Sequence, residues 1–254
     1  VSEAVPRPGL TGEQLVLDTA AATAGRLAER LVGELRHALA RFACAHLALS
    51  GGSSGRLLCA ALAERDLIGP SEWARIHLWQ VDERCVPDGD ARRNLEGLRS
   101  ELVARVPLPA QSLHAMPVLQ AEGAERYERD LRLALAARPD EVSRRLDAVV
   151  LGMGPDGHTA SLFPGTAALD ERERWVVLND GESVAPPRPR MTMTYPVLNR
   201  AAFIALLVTG AGKREALTRA AQHREDFRAL PVVGIVPSTG SRMAWYCDRA
   251  ALPD

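Results

Sequence analysis

No stretch of this 254-residue chain approaches the roughly 20 consecutive apolar residues that span a bilayer, so no membrane helix is expected. Charge of one sign is also missing: 31 Lys and Arg stand against 32 Asp and Glu, a formal net charge of −1. That balance provides no global basic field for nucleic acid. Cysteine is sparse and scattered: Cys44, Cys59, Cys85 and Cys247 form no CxxC pair, and no histidine stands at metal-ligand spacing. Neither a zinc motif nor a disulfide framework is indicated, and buried thiols in a reducing cytoplasm are the expected state. The N-terminus does not read as a signal peptide, and there is no internal repeat or low-complexity tract. What remains is a chain that is 46% hydrophobic and long enough for one large core. Val1 to Gln14, with two prolines and two glycines, reads as a loosely held arm or edge, and residues 15–254 as one domain.

Strand and helix patterns alternate along that domain. Asp18 is a plausible N-cap for a long amphipathic helix in which Leu27, Leu31, Leu35, Leu39 and Phe42 recur at helical spacing. His46 to Leu49 reads as a buried strand, followed by Ser50-Gly51-Gly52-Ser53-Ser54-Gly55 and a helix through Leu57, Leu58, Ala61 and Leu62. Strand Ile76 to Val81 leads to a loop at Asp82-Glu83-Arg84 and a helix around Asn94 to Val103, and Gln120 to Ala137 is helical. Further strands are expected at Ala148 to Leu151, Trp175 to Leu178, Phe203 to Val208 and Met243 to Cys247, with a proline-rich link at Pro186 to Pro189. Such alternation predicts an α/β fold with a mainly parallel sheet, doubly wound, with helices on both faces.

The organising stretch is Leu146 to Gly165, LDAVVLGMGPDGHTASLFPG. Its apolar run ends in a glycine-rich turn that carries Asp156, Gly157 and His158 into an expected helix start at Thr159 and Ser161. Side chains at the carboxyl ends of strands in open α/β sheets face the ligand crevice, which makes His158 a candidate base. Asp156 could orient the imidazole, touch substrate or bond the loop's own amides. A helix N-terminus would bias the imidazole towards its neutral form, and a bound phosphate would act in the opposite direction. Three more loops leave strand ends with polar groups: Ser50 to Gly55, Asp82 to Arg84, and Gly210-Ala211-Gly212-Lys213, which opens another helix. Glycine amides, a helix N-terminus and the charges of Arg84 and Lys213 suit an anion. Each part alone has a bland reading, as a turn or a solvated cation. Their recurrence at successive strand ends favours a phosphate site beside a histidine.

SGGSS at 50–54, VDERCVP at 81–87 with Asn94 beyond it, GMGPDGHTASLFPG at 152–165, RMTMTYPVLN at 190–199 and GAGK at 210–213 resemble the 6-phosphogluconolactonases, in that family's order. The resemblance implies hydrolysis of 6-phosphogluconolactone, a small sugar phosphate lactone, to 6-phosphogluconate in the oxidative pentose phosphate pathway, without metal or cofactor. It implies a Rossmann-like fold, as in the glucosamine-6-phosphate deaminase and ribose-5-phosphate isomerase group. Matched motif by motif, it makes His158 the base that activates water and Arg84 and Lys213 the phosphate-binding cations. Gly51, Gly52 and Ser53 become the phosphate loop, while Asp82, Asn94 and Arg190 fall in blocks lining the cleft. Two positions depart from the family's usual pattern: Gly55 and then Arg56 where a proline is common, and Arg93 where a serine usually precedes Asn94. No nucleic-acid or membrane partner is implied, and a monomer or small homo-oligomer is expected.

The chemistry asks for little more than this. A δ-lactone is an activated ester, and a general base supplies roughly 10²–10⁴-fold in rate. Rival readings exist. Gly152-x-Gly154-x-x-Gly157 has the dinucleotide spacing, but Pro164-Gly165 follows too soon for the long helix that fingerprint needs. Gly51-x-Ser53-x-Gly55 matches a serine-hydrolase elbow, with Asp82 and His158 in the right order. An amino-sugar phosphate deaminase or isomerase of the same fold is a further alternative, and a non-catalytic sugar-phosphate sensor a fourth.

Overall fold

Ala148–Leu151 and Phe203–Val208 are apolar at every position, and all of those residues are buried. Continuous runs of this kind need cover on both faces of a sheet, which is the signature of central parallel strands. The computed structural model describes residues 9–64, 67–223 and 225–253. In chain order the main elements are β1 (Glu13–Leu17), α1 (Ala20–Arg41), β2 (Ala45–Leu49), α2 (Gly52–Glu64), α3 (Pro70–Trp73), β3 (Ile76–Gln80), β4 (Asp82–Arg84), α4 (Asn94–Glu101), β5 (Leu113–His114) and α5 (Gly123–Ala136). They continue with β6 (Ala148–Leu151), β7 (Val176–Asn179), β8 (Arg190–Met193), α6 (Tyr195–Leu198), β9 (Phe203–Val208), α7 (Arg214–Gln222) and β10 (Arg242–Asp248).

Seven strands form one parallel sheet in the order β1-β10-β9-β6-β2-β3-β5. The chain therefore leaves β2 towards β3 on one side and β6 towards β9 on the other, so the strand order reverses between β2 and β6. That is the topological switch point where α/β sheets open their ligand crevice. Alternate residues of the central strands enter two cores. Ala148, Val150, Phe203 and Ala205 pack with α1 and α2, whereas Val149, Leu151, Ile204 and Leu206 pack with α5 and α7. The doubly wound parallel sheet is thus as expected. No helix among the described residues is long and apolar enough to cross a membrane.

Several local expectations are corrected. The N-cap of α1 is Thr19, whose hydroxyl accepts from the Ala22 amide at 3.2 Å; Asp18 lies outside and pairs with Arg249. Asp82–Arg84 is a strand and not a loop, because Arg190–Met193 supplies an antiparallel partner. With β7 on the other side these make a second, three-stranded sheet in the order β4-β8-β7, so the strand read around Trp175 to Leu178 belongs here and not in the main sheet. α2 begins at Gly52, which puts Ser53, Ser54 and Gly55 in a helix and not in a loop. No helix starts at Thr159: Gly157 has φ +85° and Ala160 φ +51°, and a bridge joins Thr159 to Leu162. The hydroxyls that would cap a helix bond elsewhere, Thr159 Oγ1 to the Gly152 carbonyl and Ser161 Oγ to Asp82. Of the span read as an arm, Glu13 and Gln14 already lie in β1, paired with Ala244 and Trp245, and residues 1–8 lie outside the described residues.

Candidate active site

The loops after β2, β6 and β9 and the strand that follows β3 all rise from the carboxyl ends of four adjacent strands. They enclose a cleft of about 160 Å³. Gly51, Gly52, Ser53, Asp82, Arg84, Asn94, His158, Arg190 and Lys213 all line it. Asp156 does not line it and stands behind His158. The Ser54 and Thr209 hydroxyls, 2.8 Å apart, tie the rim together across the switch point.

His158 is held by three contacts. Its Nδ1–H donates to Asp156 Oδ1 at 2.6 Å, its amide donates to the same oxygen at 3.2 Å, and its ring stacks on Phe163 at a centroid distance of 4.3 Å. With Nδ1 protonated, Nε2 carries the lone pair, the arrangement a neutral base needs. Partial burial works to raise the Asp156 pKa, but the hydrogen bonds from the His158 ring and amide act against it, and the carboxyl is held below its usual range. Because the expected helix is absent, its dipole plays no part in setting the imidazole. The three glycines of the loop differ in purpose. Gly157 supplies a positive φ, Gly154 makes room for the pair, and nothing lies within 4 Å of a Cβ at Gly152.

The cations converge from two sheets. Arg84 on β4 stands directly opposite Arg190 on β8, a like-charge cross-strand pair that costs stability unless an anion or other groups compensate. Arg190 is buried, and burial first, then the charge of Arg84, lowers its pKa. Its Nε and Nη2 donate to the carbonyls of Pro187 and Ala185 at 2.6 and 2.8 Å, so part of its fork is committed to holding the proline-rich link. Arg84 Nη1 donates to the Arg92 carbonyl, while its buried Nε has no partner among the described residues. The Lys213 ammonium makes no ion pair among the described residues, and its pKa is lowered by burial against the opposing pull of Asp156.

Asp82 is buried, which pushes its carboxyl up, while a 2.7 Å hydrogen bond from Ser161 Oγ acts the other way. Asn94 Nδ2 donates to the Asp82 carbonyl at 2.9 Å, and Gly51 leaves the space for it: a Cβ there would sit 2.1 Å from Asn94 Oδ1. The serine-hydrolase constellation is not assembled among the described residues, since Asp82 is engaged by Ser161 and His158 by Asp156.

One residue that organises this site was passed over in the sequence. Glu83 is fully buried and accepts from the amides of Arg84, Asn94 and Leu95 at 2.7, 2.7 and 2.8 Å and from Gln80 Nε2 at 2.8 Å. Arg93 Nε lies 3.2 Å from it, also buried. Glu83 therefore caps α4, whose own N-cap Arg93 makes no side-chain cap, and sets Arg84 and Asn94 relative to each other. The available signal was strand alternation: in Asp82-Glu83-Arg84 the middle residue must face away from its neighbours.

Residues 18–245 match the family described as "Glucosamine-6-phosphate isomerases/6-phosphogluconolactonase". The chain is 39% identical over 234 residues to the human "GDH/6PGL endoplasmic bifunctional protein", covering 89% of this chain and 28% of that protein, so it spans little more than a quarter of that relative. It is 39% identical over 252 residues to 6-phosphogluconolactonase from Rattus norvegicus, covering 98% of this chain and 94% of the relative. Among solved structures, 6-phosphogluconolactonase from Thermotoga maritima superposes with a TM-score of 0.76 at 25% identity, over 93% of this chain and 99% of that one.

Proposed function

This chain belongs to the glucosamine-6-phosphate isomerase/6-phosphogluconolactonase family, and on that premise we propose that it hydrolyses 6-phospho-D-glucono-1,5-lactone to 6-phosphogluconate, a step of the oxidative pentose phosphate pathway, by histidine-activated water. The observation that carries the reading is His158, backed by Asp156, in one cleft with the facing Arg84 and Arg190 and with Lys213. The phosphate neutralises the facing arginines and takes the amides of the Gly51 to Ser53 turn, which fixes the ring over the imidazole. His158 Nε2 accepts a proton from water as the water oxygen bonds to C1. The tetrahedral centre collapses with cleavage of the bond from C1 to the ring oxygen, and the imidazolium returns its proton to that oxygen. Asp156 keeps Nδ1 protonated and stabilises the positive charge that forms on the ring. The same reading takes residues 15–254 as one catalytic domain, in the cytoplasm, as a monomer or small homo-oligomer.

An assay on freshly generated lactone, corrected for spontaneous opening, tests it. We expect His158→Ala to lower kcat by roughly 10²–10⁴-fold with the fold intact, and Arg84→Ala or Lys213→Ala to act mainly on KM. Unphosphorylated gluconolactone should be a far poorer substrate. Wild-type turnover by folded His158→Ala, or equal kcat/KM for the two lactones, would sink the reading.

A further inference from the structure

Behind the glycine turn the cleft continues into a chamber of about 320 Å³ between α2 and α4, sharing Ser50, Gly51, Arg84 and Asn94 with it. Three buried side-chain polar atoms have no hydrogen-bond partner among the described residues: Ser50 Oγ, Arg84 Nε and Arg93 Nε. All three residues line this chamber. Arg93 is balanced by Glu83 and Asp88 at 3.2 and 3.0 Å. Ser50 Oγ and Arg84 Nε have no such compensation, and buried donors left bare in a native fold point to a missing ligand atom.

A fourth donor group borders the same space. Arg56, in the first turns of α2, is exposed and makes no hydrogen bond or ion pair among the described residues, yet its side chain is laid against α4. The position beneath it is Gly97, where a Cβ would stand only 2.9 Å from Arg56 Nε. Lys213 lines the cleft and not the chamber, Arg56 the chamber and not the cleft, and Arg84 lines both. An anion bound at Arg84 Nε and Ser50 Oγ is therefore within the walls of both spaces.

Building on the lactonase reading, we propose that Arg56 is a specificity residue for the phosphorylated end of the substrate, closing on the phosphate from the α2 side opposite Lys213. A planar guanidinium presents two parallel N–H groups to a pair of phosphate oxygens, a fixed fork that an ammonium lacks. Being remote from His158, Arg56 acts on binding and not on the chemical step.

The test compares Arg56→Ala and Arg56→Lys with wild type on 6-phosphogluconolactone and on gluconolactone, with calorimetric titration of inorganic phosphate as a second readout. For Arg56→Ala we expect KM for the phosphorylated lactone and Kd for phosphate to rise roughly tenfold, with kcat within twofold and kcat/KM for gluconolactone unchanged. Arg56→Lys should recover part of the loss. Equal losses on both lactones, or unaltered phosphate affinity in Arg56→Ala, would overturn the assignment. If wild type lacks lactonase activity, the lactonase reading fails by itself, and the phosphate titration still decides whether Arg56 serves an anion.

Discussion

Adding one methyl group at Gly154 isolates the positioning of His158 from every other feature of the cleft. A Cβ at this residue would sit 2.1 Å from His158 Nδ1 and 2.4 Å from Asp156 Oδ1. An ordinary nonbonded contact is about 3.5 Å, so the ring and carboxylate must move by more than about 1 Å. Neither has an easy retreat. The ring is stacked on Phe163, and the loop is closed by the bonds from the Gly154 amide to the His158 carbonyl at 2.7 Å and from the Gly157 amide to the Gly154 carbonyl at 3.1 Å. Gly154 does not have a positive φ, so alanine brings a steric clash without a backbone conflict. A displacement of 1 Å can cost about 10²-fold in rate. Gly154→Ala is therefore expected to lower kcat about 100-fold while leaving KM within a fewfold, because the cations that hold the phosphate are on other elements. Gly33→Ala, on α1 and away from the cleft, is the internal control: no atom lies within 4 Å of its Cβ, and wild-type kinetics are expected. Both variants are assayed on the lactone with spontaneous opening subtracted, after circular dichroism and Tm establish folding. Wild-type kcat in Gly154→Ala, or equal losses in the two variants, would refute the claim that this glycine exists to admit the Asp156–His158 pair.

Glu83→Ala should be among the most damaging substitutions outside the cleft lining. It strips three amides, two of them buried, of their acceptor and leaves Arg93 facing only Asp88, and breaking one partner of a buried pair costs about 3–5 kcal/mol, or a fall of roughly 10 °C in Tm for a domain of this size. A change of less than 2 °C by calorimetry would show that α4 is held by something else. At Ser53, alanine should affect KM more than kcat, and a serine-directed sulfonyl fluoride should not inactivate the enzyme. Stoichiometric labelling of Ser53 with loss of activity, seen by intact mass, would instead make it a covalent nucleophile.

What could be read from the chain followed from patterns that are local. β6 and β9 announce themselves because buried strands are apolar throughout, and α1 because its leucines recur at helical spacing. His158, Arg84 and Lys213 were legible because each follows such a strand closely. β4 and β8 were not, since three polar residues and a four-residue Arg-Met-Thr-Met segment are too short to declare a strand alone, and each is held extended by the other. The same holds for Thr159 and Ser161, whose sequence resembles a helix start but whose hydroxyls are claimed by distant carbonyl and carboxylate groups. The roles of Glu83, Phe163 and Arg56 are not legible in the sequence for one reason: what each touches is brought to it by the fold. Arg56 in particular is defined by Gly97, a residue on another helix.

The pairing of β1 with β10 has a consequence for how the molecule is completed during synthesis. Among the described residues β1 has one sheet neighbour, and that neighbour, β10, is synthesised after all the other described strands. β2, β3, β5 and β6 can pair as soon as Leu151 is available, which brings the glycine turn and the histidine loop together. The lysine loop joins only once β9 has docked on β6, and β1 must wait for β10 through more than two hundred residues of elongation. Assembly of the cleft and closure of the sheet edge are thus separate events in the life of the nascent chain, and contacts this distant in sequence are the ones that slow folding.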